Sequence, residues 1–185
     1  IRQEYRANWK MAWDNAADGI HATFAHRSYN LLGKEAETDT VLLWGGSLLD
    51  WQDPVTLIEA IALLAPARPD VKLVFMGTKH PNPLVAPMRV VEESRTRAEA
   101  LGLLDRHVFF NDWVPYTERA RYLFEADLGV STHREHLETH FSFRTRMLDY
   151  VWARLPIVCT EGDVFASLVA ARGLGTAVPP GDPHA

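Results

Sequence analysis

One cysteine, Cys159, is all the thiol this chain holds, so no intramolecular disulfide can form. It sits in the apolar run "PIVCT" and reads as a small core residue, which suits a reducing compartment. No apolar run reaches membrane-spanning length, and no secretory leader pattern is visible. Positive charge is in short supply: 19 Lys and Arg face 24 Asp and Glu, for a net charge of −5. That balance argues against a broad nucleic-acid face, although a local nest of amides can still hold a small anion. There is no G-x-G-x-x-G, no G-x-x-x-x-G-K-[ST] and no G-x-S-x-G. These absences argue against the usual dinucleotide fold, a P-loop and an esterase-type nucleophile. The run His136-Leu137-Glu138-Thr139-His140 puts its acid one place too late for a zinc protease, and no metal is expected.

What is present is an alternation. From Thr40 onward, short apolar runs ending in glycine or polar turns alternate with amphipathic stretches. "TVLLWGG", "VKLVFMG", "HVFF", "DLGVST", "PIVCT" and "GTAVP" read as strands. "DPVTLIEAIALLA", with Asp53 as cap and Pro54 at the first helical position, reads as a helix. So do "VAPMRVVEESRTRAEALG", "TERARYLFEA", a helix within "FSFRTRMLDYVWARLPIV", and "DVFASLVAARG". Continuous apolar strands between amphipathic helices predict an α/β fold, with a doubly wound, Rossmann-like parallel sheet of about six strands covered on both faces. Residues 1–18 read as a helix with a Tyr5, Trp9, Trp13 stripe. Residues 1–39 as a whole read as a helix plus connecting segment, and 40–185 as the domain. The start at Ile1 and the loop-like "VPPGDPHA" suggest a piece of a longer protein.

Ligands of such sheets bind beyond the carboxyl ends of the strands, so the loops there carry the candidates. Gly45 and Gly46 follow the first strand, forming either a tight turn or a close approach to phosphate. Lys79 and His80 follow the second, and Lys79 is either a phosphate partner or a solvated side chain. In "NDWVPY", Val114 precedes Pro115 and offers backbone groups to a base edge. His136 and Glu138 follow the fourth strand. Within the 141–158 stretch, Met147, Leu148, Val151, Trp152 and Leu155 form one apolar stripe, expected to face the sheet. Ser142, Thr145 and Asp149 fall on another face, and the amides of Ser142, Phe143, Arg144 and Thr145 open the helix. A helix start of that kind is an anion site, with Arg144 and Arg146 adding charge. Asp149 would then meet an attached ribose, or merely pair with Arg146 or Arg154.

The ordered set "VLLWGGSLLDWQDPVTLIEAI", "VKLVFMG", "VFFNDWVPYTERARYLFEADLGVST", "MLDYVWARLPIVCTEGD" and "GLGTAVPPGD" resembles the C-terminal, donor-binding domain of a GT-B glycosyltransferase of the family-4 type. The resemblance covers residues 40–185. It implies a nucleoside-diphosphate sugar as donor and a metal-free, retaining transfer with no cofactor. It implies diphosphate contacts at Gly45, Gly46, Ser142, Phe143 and Arg144, a base contact at Val114, and a ribose contact at Asp149. It also implies a second, N-terminal domain for a glycan or lipid acceptor. A cytoplasmic enzyme, in peripheral contact with the inner face of a membrane, follows from the same family.

The sequence departs from the family at two places in this half. The usual pair of glutamates eight positions apart is here Phe141 and Asp149, and Glu138 is the substitute acid for the catalytic end of the site. The basic pair that often follows the first strand is missing, because "LLDWQDP" is acidic. Two other readings stay open: half of a sugar-nucleotide epimerase, and a non-catalytic interaction module.

Overall fold

The computed structural model describes residues 39–185. The expected helix over 1–18 and its tryptophan stripe lie outside the described residues. Six parallel strands form one sheet in the order β3-β2-β1-β4-β5-β6. The strands are β1 (Thr40–Ser47), β2 (Val71–Gly77), β3 (Val108–Phe110), β4 (Leu128–Ser131), β5 (Ile157–Thr160) and β6 (Gly175–Val178). The helices between them are α1 (Pro54–Leu64), α2 (Arg89–Ala100), α3 (Arg119–Glu125), α4 (Leu137–Phe141), α5 (Arg146–Ala153) and α6 (Val164–Arg172). A 3-10 turn over Tyr116–Glu118 leads into α3.

Period-two alternation within the strands sorts the core into two layers. Val71, Leu73 and Phe75 of β2 pack with Trp44, Ile58, Ile61 and Val90 beneath α1 and α2. Val74 and Met76 point the other way and join Leu43, Leu123, Met147, Tyr150 and Phe165 beneath α3, α5 and α6. Cys159 is buried in this second layer, and burial pushes its thiol up to about 11, so it stays protonated.

The local signals for helix starts hold for α1 and α6. The Asp53 side chain accepts from the Thr56 amide at 3.2 Å, with Pro54 in the first turn. Asp163 does the same for the Ala166 amide at 2.7 Å. Two helix extents differ from expectation. α2 starts at Arg89 rather than near Val85, because Pro87 disfavours helical backbone in the residue before it. Its first turn is capped from a distance, the Val90 amide donating to Asp50 of the β1–α1 loop at 3.1 Å. The 141–158 stretch is not one helix either: Phe141 ends α4, residues 142–145 cross over, and α5 begins at Arg146.

The expected apolar stripe on α5 is also corrected. Met147, Tyr150 and Ala153 are fully buried, while Leu148, Val151 and Trp152 are 49%, 43% and 60% exposed. Tyr150 carries a polar tip and was not counted as core. Trp152 finds a partner at the surface by stacking on Phe124, with ring centroids 5.1 Å apart.

Candidate functional site

The strand order reverses direction between β1 and β4, which is where an open parallel sheet leaves a crevice. Tyr150 of α5 fills the base of that crevice. Its hydroxyl accepts from the Gly45 amide at 2.7 Å and reaches the carbonyls of Leu43 at 3.0 Å and Val130 at 2.9 Å, to one of which it donates. Burial raises its pKa, so the phenol keeps the proton it donates. The ring lies so close to β4 that a Cβ at Gly129 would sit 2.5 Å from it.

Above this plug lies a cavity of about 300 Å³. Gly45, Gly46 and Ser47 of β1 form one wall, with Met76 and Gly77 of β2 beside them. Trp113, Val114 and Tyr116 close it on the β3 side, and Thr145, Arg146 and Asp149 on the α5 side. β1 bulges between Trp44 and Ser47, and Gly46 sits there at φ 98°, a backbone that favours glycine. The Arg119 guanidinium pairs with the Asp149 carboxylate, both partly exposed. This pair separates the cavity from a second one of about 430 Å³ that runs on toward Leu123 and Trp152.

Of the residues singled out from sequence, the fold brings Gly45, Gly46, Val114, Thr145 and Asp149 to this cavity. The Gly45 amide, expected at a phosphate, is taken by Tyr150. Ser142, Phe143 and Arg144 lie elsewhere, because the chain crosses over before α5 instead of running on as helix. The Ser142 amide donates back to the Glu138 carbonyl at 2.8 Å. Phe143 packs on Phe165, with centroids 4.8 Å apart. Arg144 is buried in an ion pair with Asp163 and also donates to the carbonyl and hydroxyl oxygens of Ser131, both at 3.1 Å. It ties β4 to the start of α6 and is not aimed at a ligand in the cavity. Asp149 pairs with Arg119, not with Arg146 or Arg154.

Lys79 is exposed on the β2–α2 loop, outside the cavity walls. His80 accepts from the Asn82 amide and reaches the site only through Trp113, its ring centroid 5.8 Å away. Glu138 is exposed on α4. His136 caps that helix by accepting from the Glu138 amide at 3.1 Å, and it faces a separate cavity of about 320 Å³ with His133 and Glu161. Burial lowers the pKa of His133, and its Nδ1 is placed to donate to the Arg134 carbonyl at 3.1 Å. Among the described residues, no three of His, Cys, Asp or Glu are grouped to hold a metal ion.

Sequence reading did not place Arg119, Trp113 and Tyr116 in the site, whereas Arg146, expected to add charge at the helix start, does line the cavity. In the sequence Arg146 and Arg144 carry equal weight, and only the fold shows which of them is buried in an ion pair.

The family model of the glycosyl transferases group 1 matches residues 39–185. The chain belongs to this family. Its fold is shared with several solved structures. The C-terminal domain of the Francisella tularensis glycosyl transferase LpcC shares 16% identity at a TM-score of 0.62, over 78% of this chain and 69% of that one. Anabaena HepE in complex with UDP shares 18% at 0.67, over 88% and 40%. A Rickettsia africae glycosyltransferase shares 12% at 0.70, over 94% and 42%. The chain thus spans about two fifths of the longer enzymes and most of the isolated domain. No curated protein sequence matches it significantly. This glycosyltransferase domain keeps the six-stranded Rossmann-like layout while differing in most of its residues.

Proposed function

We propose that this domain binds the nucleoside-diphosphate sugar donor of a glycosyltransferase. In the whole enzyme the sugar passes to a glycan or lipid acceptor held by a second domain, with retention and without a metal. The observation that carries the reading is the single cavity where a glycine bulge, the start of α5 and the Asp149 carboxylate meet. Each matches one part of a donor: the bulge and the helix start suit a diphosphate, and a carboxylate one turn along suits a ribose diol. The loop Trp113–Val114 suits the base. A volume of about 300 Å³ is at the small end of ligand pockets, as expected of a site that a second domain completes. The fold likeness to HepE, solved with UDP and with UDP-glucose, supports the same class of donor. Such transfer depends on holding the leaving diphosphate, which amides and guanidinium groups do without a metal. The working place is the cytoplasmic face of a membrane, where lipid-linked acceptors are assembled.

The test is calorimetric titration of the 185-residue chain with UDP, GDP, ADP and dTDP, beside Asp149→Ala and Arg119→Ala. Asp149→Ala should weaken binding by roughly 1–3 kcal/mol, the cost of leaving ribose hydroxyls unpaired. Arg119→Ala should weaken it less, because it frees the carboxylate without removing it. Equal losses in the two variants would mean that Asp149 serves only to hold Arg119. Binding of none of the four would remove the donor reading for this chain and leave the interaction module.

A further inference from the structure

We propose that Arg146 takes up the diphosphate charge in this cavity, in place of the cations that the β1–α1 loop does not carry. The inference rests on the donor reading and names the residue on which that reading turns.

The loop from Ser47 to Asp53 has two carboxylates and no cation. Both carboxylates are committed to the fold, Asp50 capping α2 and Asp53 capping α1. The other cations near the site are committed too. Arg144 is buried against Asp163, Arg119 is paired with Asp149, and Lys79 lies out on its loop. Arg146 is the cavity-lining cation without a carboxylate partner among the described contacts. Its Nη2 donates to the Ser47 carbonyl at 2.8 Å, and its guanidinium lies 4.6 Å from the centroid of the Trp44 ring. These two contacts fix the plane of the fork. They leave Nη1 enclosed and without a hydrogen-bond partner. Burial lowers the pKa to about 10, so the group remains cationic at neutral pH. A guanidinium held at Nη2, stacked on a ring and left without a carboxylate partner is organised to receive an oxyanion. It stands at the start of α5 and lines the cavity with Gly46 and Gly77, where the helix dipole favours an anion.

The experiment titrates the 185-residue chain, wild type, Arg146→Lys and Arg146→Gln. The probes are UDP, GDP, ADP and dTDP, their nucleosides, and inorganic pyrophosphate. Arg146→Gln should weaken the bound nucleoside diphosphate at least tenfold and leave its nucleoside within twofold. Arg146→Lys should fall between, keeping the charge but losing the fork. If both ligands lose equally, or neither does, Arg146 is a packing residue and the proposal fails while the donor reading stands. If pyrophosphate binds in an Arg146-dependent way and no nucleotide binds, the donor reading fails and the anion site stands. If the wild type binds none of the probes, both fail.

Discussion

Tyr150 illustrates how one side chain joins packing to function. Its ring fills the gap at the reversal of the strand order, and its hydroxyl pairs the Gly45 amide with a strand carbonyl where the β1–β4 ladder has parted. For the proposed donor this leaves the Gly46 side of the bulge as the place for a phosphate, since the Gly45 amide is occupied. Tyr150→Phe keeps the ring and removes the hydroxyl. The buried Gly45 amide then has no partner, which should destabilise the domain by about 1–3 kcal/mol in urea unfolding. A change below about 0.5 kcal/mol would show that water replaces the hydroxyl, and that the crevice is wet rather than plugged.

At the scale of elements, α5 separates what the sequence reveals from what it hides. Its existence, its place after β4 and the position of Asp149 all follow from pattern and order. Its inner face does not. Counting only large apolar positions selects Met147, Leu148, Val151, Trp152 and Leu155; Met147 and Leu155 are buried as expected, but Tyr150 and Ala153 take the inner places given to Leu148, Val151 and Trp152. Tyrosine and alanine are ambiguous in a sequence, and glycines in the facing strands decide the matter: a Cβ at Gly129 would lie 2.5 Å from the Tyr150 ring and one at Gly45 3.1 Å from it. The glycine loop and Val114 were legible because they follow strands. Arg146 and Arg144 were not separable, because which one is buried depends on Asp163, nineteen residues on from Arg144. The corrected face makes a direct prediction. Met147→Ala should cost about 2–5 kcal/mol, as a buried truncation does, and Leu148→Ala well under 1 kcal/mol. Thermal or urea unfolding of the two variants side by side checks this, and a cost for Leu148→Ala as large as that for Met147→Ala would restore the original stripe.

For the molecule as a whole, the sheet gathers every cavity residue at one end. The cavity is bounded there by strand ends and by α5 and stays open on the side away from the sheet. The chain also spans about two fifths of the longer enzymes that share its fold. Donor holding and transfer should therefore separate. With a nucleotide sugar whose diphosphate the chain binds, and a sugar or lipid acceptor added, the 185 residues alone should hold the donor and transfer none of it. Transfer needs both reacting groups held close and oriented, an effect worth up to about 7–11 kcal/mol of barrier, and a domain that holds only the donor fixes one of them. Radiolabel transfer from donor to acceptor measures this. Turnover by the isolated chain would mean that the acceptor site lies on this domain after all, with the cavity between β4 and β5 around His133 as the first place to look.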